Sequence, residues 1–503
     1  MKGYKEVEAT RREYHKDPNL NSVHRSSLMV PEMEGTTVEI SFLNHFLIKR
    51  NYPKVACRIT PIDLQGKKLE SRLYMIEKPK VYTIKLSGMV QNHVSNYLVE
   101  FYAAENLFIP FPAVMINHHG NGFISQVHSY NRVLNDVFED EAINSTQVNE
   151  ASIDFILRDK IDTFLLFSSG PLPCDEPLEV QIMTNNGSIV KQVETHLPRL
   201  CNRKVSLRQT FPDIPNDTKG VLKVKQPKQF LFFGRMLAGQ ASSDGAFSGN
   251  HSYYDSSNIR EYWDKGNFSQ RFYPFFNDLV NAVTMYPIMS PSELSVFISL
   301  YKDDGSLIKD ISVGLLSSPG NSFVEASINS LAQNAKIEIK EISTFALSAK
   351  AEPGKLPTRI NHQLIYGCGG LNSSINLSLF NSNVFIPEDK KSFSWAQTVV
   401  GGDYETFVGI VADSSANPKV KSHEVKTAFY GENGLVSERN WKIPNGSAIK
   451  FAIGKELGSE LTSSDMKQPK SIWCTVESEQ HGVTLYTVTR NNMTMHCSGE
   501  HSF

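Results

Sequence analysis

The feature that most constrains the fold is a hairpin pattern that recurs four times at nearly even spacing. The segments CRITPIDLQGKKLES, VQIMTNNGSIVKQV, VFISLYKDDGSLIKDI and KTAFYGENGLVSERN each carry a short turn ending in glycine between two strand-like runs. Their glycines, Gly66, Gly187, Gly305 and Gly434, lie 121, 118 and 129 residues apart. Asn-Gly and Asp-Gly between alternating apolar residues are strong hairpin signals, because type I′ turns need positive φ at both central residues.

Further strand candidates follow each turn at similar distances. KVYTIKL, RKVSLRQTF, SFVEASI and SAIKFAI come next, and then YLVEFY, QFLFFGRML, KIEIKEISTFAL and SIWCTVE. These runs are rich in β-branched and aromatic residues, whereas long helical periodicity is absent. About six to eight short strands in about 110–125 residues match a β-sandwich. The expected fold is therefore all-β, a tandem array of about four diverged antiparallel β-sandwich modules, Ig-like or jelly-roll-like.

A second series runs in step with the first. HSY at His128, HSY at His251 and HSF at His501 fall 62, 64 and 67 residues after the first, second and fourth hairpin glycines. NLSLF, beginning at Asn376, takes the equivalent place in the third unit. Positions 128, 251, 376 and 501 are separated by 123, 125 and 125 residues, which makes GEHSF the closing element of a fourth module. The expected boundaries are a polar tail at 1–27, modules at 28–137, 150–265, 275–386 and 392–503, and an acidic linker at 138–149.

Composition limits the classes of function. A chain of 503 residues is too long for one core. With 51 Lys+Arg against 53 Asp+Glu there is no global field to attract nucleic acid. The longest apolar stretch, Leu107 to Ile116, contains Pro110 and Pro112 and falls short of the roughly 20 residues of a spanning helix. Cys57, Cys174, Cys201, Cys368, Cys474 and Cys497 form no CxxC pair and read as buried thiols. These thiols and a charged N-terminus without a secretory core point to the cytoplasm, with export lacking a recognisable signal peptide as the alternative.

The candidate site residues lie in three places. MINHHGNGFISQVHSYNR gathers Asn117, His118, His119, His128 and Tyr130; a hairpin through His119-Gly120-Asn121-Gly122 is expected to bring His118 near His128. No carboxylate in that stretch completes a metal shell, so neither a metal nor another cofactor is expected. GQASSDGAFSGNHSYYDSS supplies His251, Tyr253, Tyr254 and Asp255, where tyrosine faces suit sugar rings or polar interfaces. His501 closes the set. A histidine and serine adjacent on a strand face opposite sides, which removes a serine-nucleophile reading. IYGCGGLNSS lacks GxxxxGK[ST] and reads as a tight turn or bulge.

No complete catalytic set is present, so the sequence points to a non-catalytic binding or assembly protein with no catalytic residues. Linked modules make weak contacts to a polymer useful, and a polysaccharide, or the machinery that makes one, is the first choice of partner, with a protein as second. Two other classes compete. One is a metal- or histidine-dependent enzyme acting on a polar or sugar-like substrate in the first two modules, and the other is a structural subunit of a larger particle. An oligomer is compatible with all three readings, and no nucleic acid or membrane span is expected.

Overall fold

The computed structural model describes residues 23–91, 93–104, 113–128, 132–133, 150–170, 173–225, 236–254, 267–286, 290, 292–317, 322–351, 354–357, 359–380, 391–461 and 465–503. The first unit comprises β1 (Val23–Pro31), β2 (Thr37–Leu43), the short helix α1 (His45–Arg50), β3 (Val55–Asp63), β4 (Arg72–Ile76), β5 (Val81–Lys85), β6 (Val94–Ala104), β7 (Met115–Gly120), β8 (Phe123–His128) and β9 (Arg132–Val133). The second holds β10 (Glu150–Leu157), β11 (Ile161–Ser168), β12 (Leu178–Thr184), β13 (Gly187–Val193), β14 (Asn202–Ser206), α2 (Leu207–Thr210), β15 (Thr218–Lys225), β16 (Leu237–Ser242), β17 (Phe247–His251) and β18 (Tyr253–Tyr254). The third holds β19 (Phe268–Pro274), β20 (Val280–Tyr286), β21 (Leu294–Tyr301), β22 (Leu307–Leu316), β23 (Val324–Ser327), α3 (Ile328–Asn334), β24 (Thr344–Lys350), β25 (Arg359–Gly367) and β26 (Ser373–Phe380). The fourth holds β27 (Ser392–Val400), β28 (Tyr404–Ala412), β29 (Ser422–Gly431), β30 (Gly434–Pro444), β31 (Ala448–Ala452), α4 (Ile453–Glu456), β32 (Lys470–Ser478), β33 (Val483–Asn491) and β34 (Cys497–His501).

All four units share one strand order. One sheet runs fourth-third-sixth-first and the other fifth-second-seventh-eighth, while β9 and β18 add a fifth strand beside β1 and β10. Renumbered from its eighth strand, the order becomes 1-8-3-6 and 2-7-4-5, that of a jelly roll with two Greek keys. The chain is an all-β array of sandwich modules, as its hairpin period implies. The four hairpins join the third and fourth strands, and Gly66, Gly187, Gly305 and Gly434 have φ of 79°, 120°, 80° and 116°.

Alternation sets which face is inward. Along β21, Val296, Ile298 and Leu300 are fully buried, whereas Ser295, Phe297 and Tyr301 on the other face are half-buried. Short helices carry the fifth strand into the sixth in three units. α2 and α3 are capped by Ser206 and Ser327, whose hydroxyls accept from Gln209 N at 3.1 Å and Ser330 N at 3.3 Å.

Two strand expectations need correction. In the third unit KIEIKEIS is not strand: Lys336 has φ of 57° just after α3, and Ile339–Glu341 is a 3-10 turn, so the sixth strand begins at Thr344. Alternation alone misled there, because Ile339 is exposed. In the second unit the sixth strand is TKGVLKVK, Thr218–Lys225, pairing with β10 and β12. Residues 229–235 of QFLFFGRML lie outside the described residues. So do the linker 138–149 and residues 105–112, 255–266 and 381–390. β1 begins at Val23, within the stretch read as tail.

The eighth strand is the edge of its sheet in each unit, and these four edges meet. β8 packs against β17, β17 against β26, β26 against β34, and β34 against β8, which closes a ring of units. The joint between neighbours is repeated in detail. A side chain at Gly66 would meet Arg199 O of the second unit at 2.3 Å, and one at Gly305 would meet Asn445 O of the fourth at 2.0 Å. All six cysteines are free thiols, five of them buried. Among the described residues no helix is long and apolar enough to cross a membrane.

Candidate functional site

Buried polar groups have to be hydrogen-bonded, and at the ring of edge strands the partners come from other units. Ser125, Ser248, Ser373 and Ser498 stand three positions before His128, His251, Asn376 and His501, and all four are buried. Gly249 N donates to Ser125 Oγ at 3.0 Å, Ser248 Oγ to Cys497 O at 2.8 Å, and Gln126 N to Ser498 Oγ at 2.8 Å. Asn376 Nδ2 donates to His251 O at 3.0 Å and its backbone N to Asn250 Oδ1 at 3.4 Å. The strands approach closely because Gly249 and Gly499 lack side chains. A Cβ at Gly249 would lie 3.5 Å from Ser125 Oγ of the first unit, and one at Gly499 2.9 Å from Ser373 Oγ of the third.

Three of the four periodic positions bring their histidines together at this joint. Ring centroids of His128 and His251 are 4.4 Å apart, those of His128 and His501 4.7 Å, and those of His251 and His501 6.2 Å. His128 Nδ1 lies 2.8 Å from Glu500 Oε2. His251 Nδ1 is 2.9 Å from Ser252 O and His501 Nδ1 is 2.9 Å from Ser502 O. A carbonyl only accepts, so Nδ1 of these last two rings carries the proton. Asn250 Nδ2 donates to the other Glu500 oxygen at 2.8 Å.

The electrostatics follow from this enclosure. Burial, reinforced by the adjacent His128, pushes the His501 imidazole down to about 3. For Glu500 burial alone would push the carboxyl up, but the charge and hydrogen bond of His128 outweigh it and hold the group below its ordinary value. The aromatic ends of the motif pack as well. Phe503 stacks on Trp395 and on Trp473, each at 6.0 Å, and meets His128 edge-on at 5.5 Å.

Other expected site residues lie elsewhere. β7 and β8 form the expected hairpin, but the two-residue turn Asn121-Gly122 sets His118 opposite Ser125 and His128 opposite Met115. His118 and His128 therefore project from opposite faces of the sheet and are not neighbours. His118 is fully buried, its Nε2 3.2 Å from Pro31 O and its ring 5.5 Å from Phe247. Asn117 is also buried and donates to Glu39 Oε1 at 3.0 Å; His119 Nε2 lies 3.0 Å from the same carboxylate oxygen. The backbones of Tyr253 and Tyr254 pair with Ser152 and Ala151. Tyr130 and Asp255 lie outside the described residues.

Sequence reasoning missed Glu500, Asn250 and the four serines. The serine signal was available, since positions 125, 248, 373 and 498 repeat at the same 123, 125 and 125 as the histidine series. Glu500 gave no such signal, because its counterparts are Val127, Asn250 and Ile375.

Beside the joint, the first two units enclose a cleft of about 560 Å³. Its walls carry Glu32, Glu34, Asp244, Asn121, Asn202 and Lys204 around Met33, Phe123 and Phe247. A second hollow of about 420 Å³, with Asp162, Arg208 and Gln209, shares Lys204 with the first. The Lys204 ammonium sits 4.8 Å from the Phe164 ring centroid, and burial lowers its pKa.

No protein-family model matches the chain, and no curated protein does. Two solved structures show a distant likeness. The viral chemokine binding protein R17 encoded by rodent gammaherpesvirus Peru is 10% identical, with 71% of this chain and 85% of that chain covered at a TM-score of 0.14. The M60 catalytic domain with the CBM51-1 and CBM51-2 domains from Clostridium perfringens ZmpB is 9% identical, with 91% and 54% covered at 0.12. Similarity at these scores carries no functional argument.

Proposed function

We propose that the protein is a non-catalytic binding protein whose four sandwiches act as one body, and that its ligand is an extended polar polymer of the polysaccharide type. The observation that carries this reading is the pair of adjoining hollows that share Lys204. Sugar recognition combines apolar surface with convergent carboxylate, amide and ammonium groups, and the walls here offer that mixture. An elongated ligand crossing Lys204 uses both hollows at once, so two weak contacts act as a linked pair. Ring closure favours this by holding the cleft walls, which come from different units, in fixed relation.

A glycan panel tests the reading. Binding to at least one acidic or neutral polysaccharide is expected. Glu34→Ala and Lys204→Gln should each weaken it about tenfold or more, the cost of one charged hydrogen bond, with the melting temperature unchanged. Absence of binding across the panel, or binding that both variants leave intact, overturns it.

A further inference from the structure

Where the eighth strands converge, three units each contribute one imidazole, and we infer that His128, His251 and His501 form a binding site for a single divalent zinc ion that clasps the first, second and fourth units together. One ring nitrogen from each of the three lies within 4.8 Å of those of the other two. Tetrahedral zinc with Zn–N bonds of about 2.0–2.1 Å holds its nitrogens roughly 3.3 Å apart, so modest side-chain rotation closes the shell. The neighbouring strands already hold the rings at centroid distances of 4.4, 4.7 and 6.2 Å.

The second observation is the way each ring is fixed. Nδ1 of His128 faces Glu500 Oε2, and Nδ1 of His251 and His501 donates to Ser252 O and Ser502 O. In metal sites the ligating histidine donates its other ring N–H to a carboxylate or carbonyl, which sets the tautomer and aims the ligand nitrogen. All three rings have that arrangement, which makes Nε2 the ligand atom in each. Glu500 is a positioning residue: it orients His128, and Asn250 Nδ2 orients Glu500 in turn at 2.8 Å.

The third unit explains why the shell has three protein ligands. Asn376 occupies the periodic place of a histidine and offers no imidazole; its Nδ2 donates to His251 O at 3.0 Å, and the fourth coordination position falls to water. The preference for zinc follows from an all-imidazole set and a tetrahedral demand, whereas magnesium and calcium take oxygen shells. The role assigned to the ion is structural, because its three ligands come from three different units.

The test uses the full chain, stripped with a chelator and titrated with zinc chloride, with metal content read by mass spectrometry. One equivalent bound and a raised melting temperature are expected. Cobalt(II) in place of zinc should give the intense visible absorption of a tetrahedral site. His251→Gln and His501→Asn should each weaken binding at least about 100-fold, and Glu500→Gln about 10- to 100-fold. No uptake, or one equivalent that persists unweakened in both histidine variants, overturns the inference. If those variants do not fold, X-ray absorption of the zinc-loaded wild type decides: three imidazole nitrogens support the site, and a sulfur or oxygen-only shell overturns it.

Discussion

His128 and Glu500, 372 positions apart in the chain, form a buried pair at 2.8 Å across the joint between the first and fourth units. The same carboxylate accepts from Asn250 of the second unit. One side chain thus ties three sandwiches. Replacing it by alanine leaves the enclosed polar groups of His128 and Asn250 unmatched, and breaking such a buried pair costs roughly 3–5 kcal/mol. Glu500→Ala should therefore lower the unfolding free energy by about that amount in urea titrations, and Glu500→Gln, which retains an acceptor, by clearly less.

Stability should fall on mild acidification. Burial pushes the His118 imidazole down to about 4, and burial with the nearby Arg271 pushes His362 down to about 3. The unfolded chain binds these protons near pH 6.5 while the native state does not, so stability is complete above that pH. It is lost as pH falls from 6.5 toward 4 for His118 and toward 3 for His362. Each histidine contributes about 1.4 kcal/mol per pH unit inside its window. Denaturant midpoints measured from pH 7.5 to 5 should decline, and His118→Gln should flatten that decline.

The hairpin glycines divide into two classes. At Gly66 and Gly305 a methyl group would overlap a backbone carbonyl of the next unit, whereas at Gly187 nothing lies within 4 Å and at Gly434 only Pro79 O at 3.9 Å. Holding a non-glycine residue at these sparsely populated positive φ values costs about 1–3 kcal/mol by itself. Gly187→Ala and Gly434→Ala should stay within that range, and Gly66→Ala and Gly305→Ala should exceed it in calorimetric or denaturant unfolding.

Two thiols face each other across the third and fourth units. Cys368 Sγ and Cys497 Sγ are 3.5 Å apart; the hydrogen bond from Cys497 lowers the Cys368 thiol to about 7, with burial opposing and Arg490 assisting. A disulfide needs about 2.05 Å, a short closure. With an azo oxidant such as diamide, which takes up the two electrons and two protons released, peptide mapping should find one disulfide, Cys368–Cys497. Its rate should rise as pH passes through 7, because the thiolate is the attacking form. A different pairing counts against this assignment.

The repeat was legible because each unit needs the same turn chemistry at the third-to-fourth strand hairpin, and Gly66, Gly187, Gly305 and Gly434 record it. The shared positions of His128, His251 and His501 were legible too, but their meeting was not. Neighbours along a hairpin can be deduced from register, and even there a two-residue turn displaced His118 from His128. Contacts between edge strands of different units depend on how whole sandwiches dock, which no local period encodes. Strand identity failed where alternation ran into a surface segment, as at Ile339 after α3.

Ring closure also imposes an order on synthesis. β8 gains its contact with β34 only after the 372 residues that separate His128 from Glu500 have been added. At about 5–20 residues per second this takes roughly 20–75 s. β17 reaches the β8 edge first, 123 residues on, but until β34 is made the side of that edge that meets the fourth unit stays uncovered, a natural binding point for a chaperone or for the wrong neighbour on a polysome.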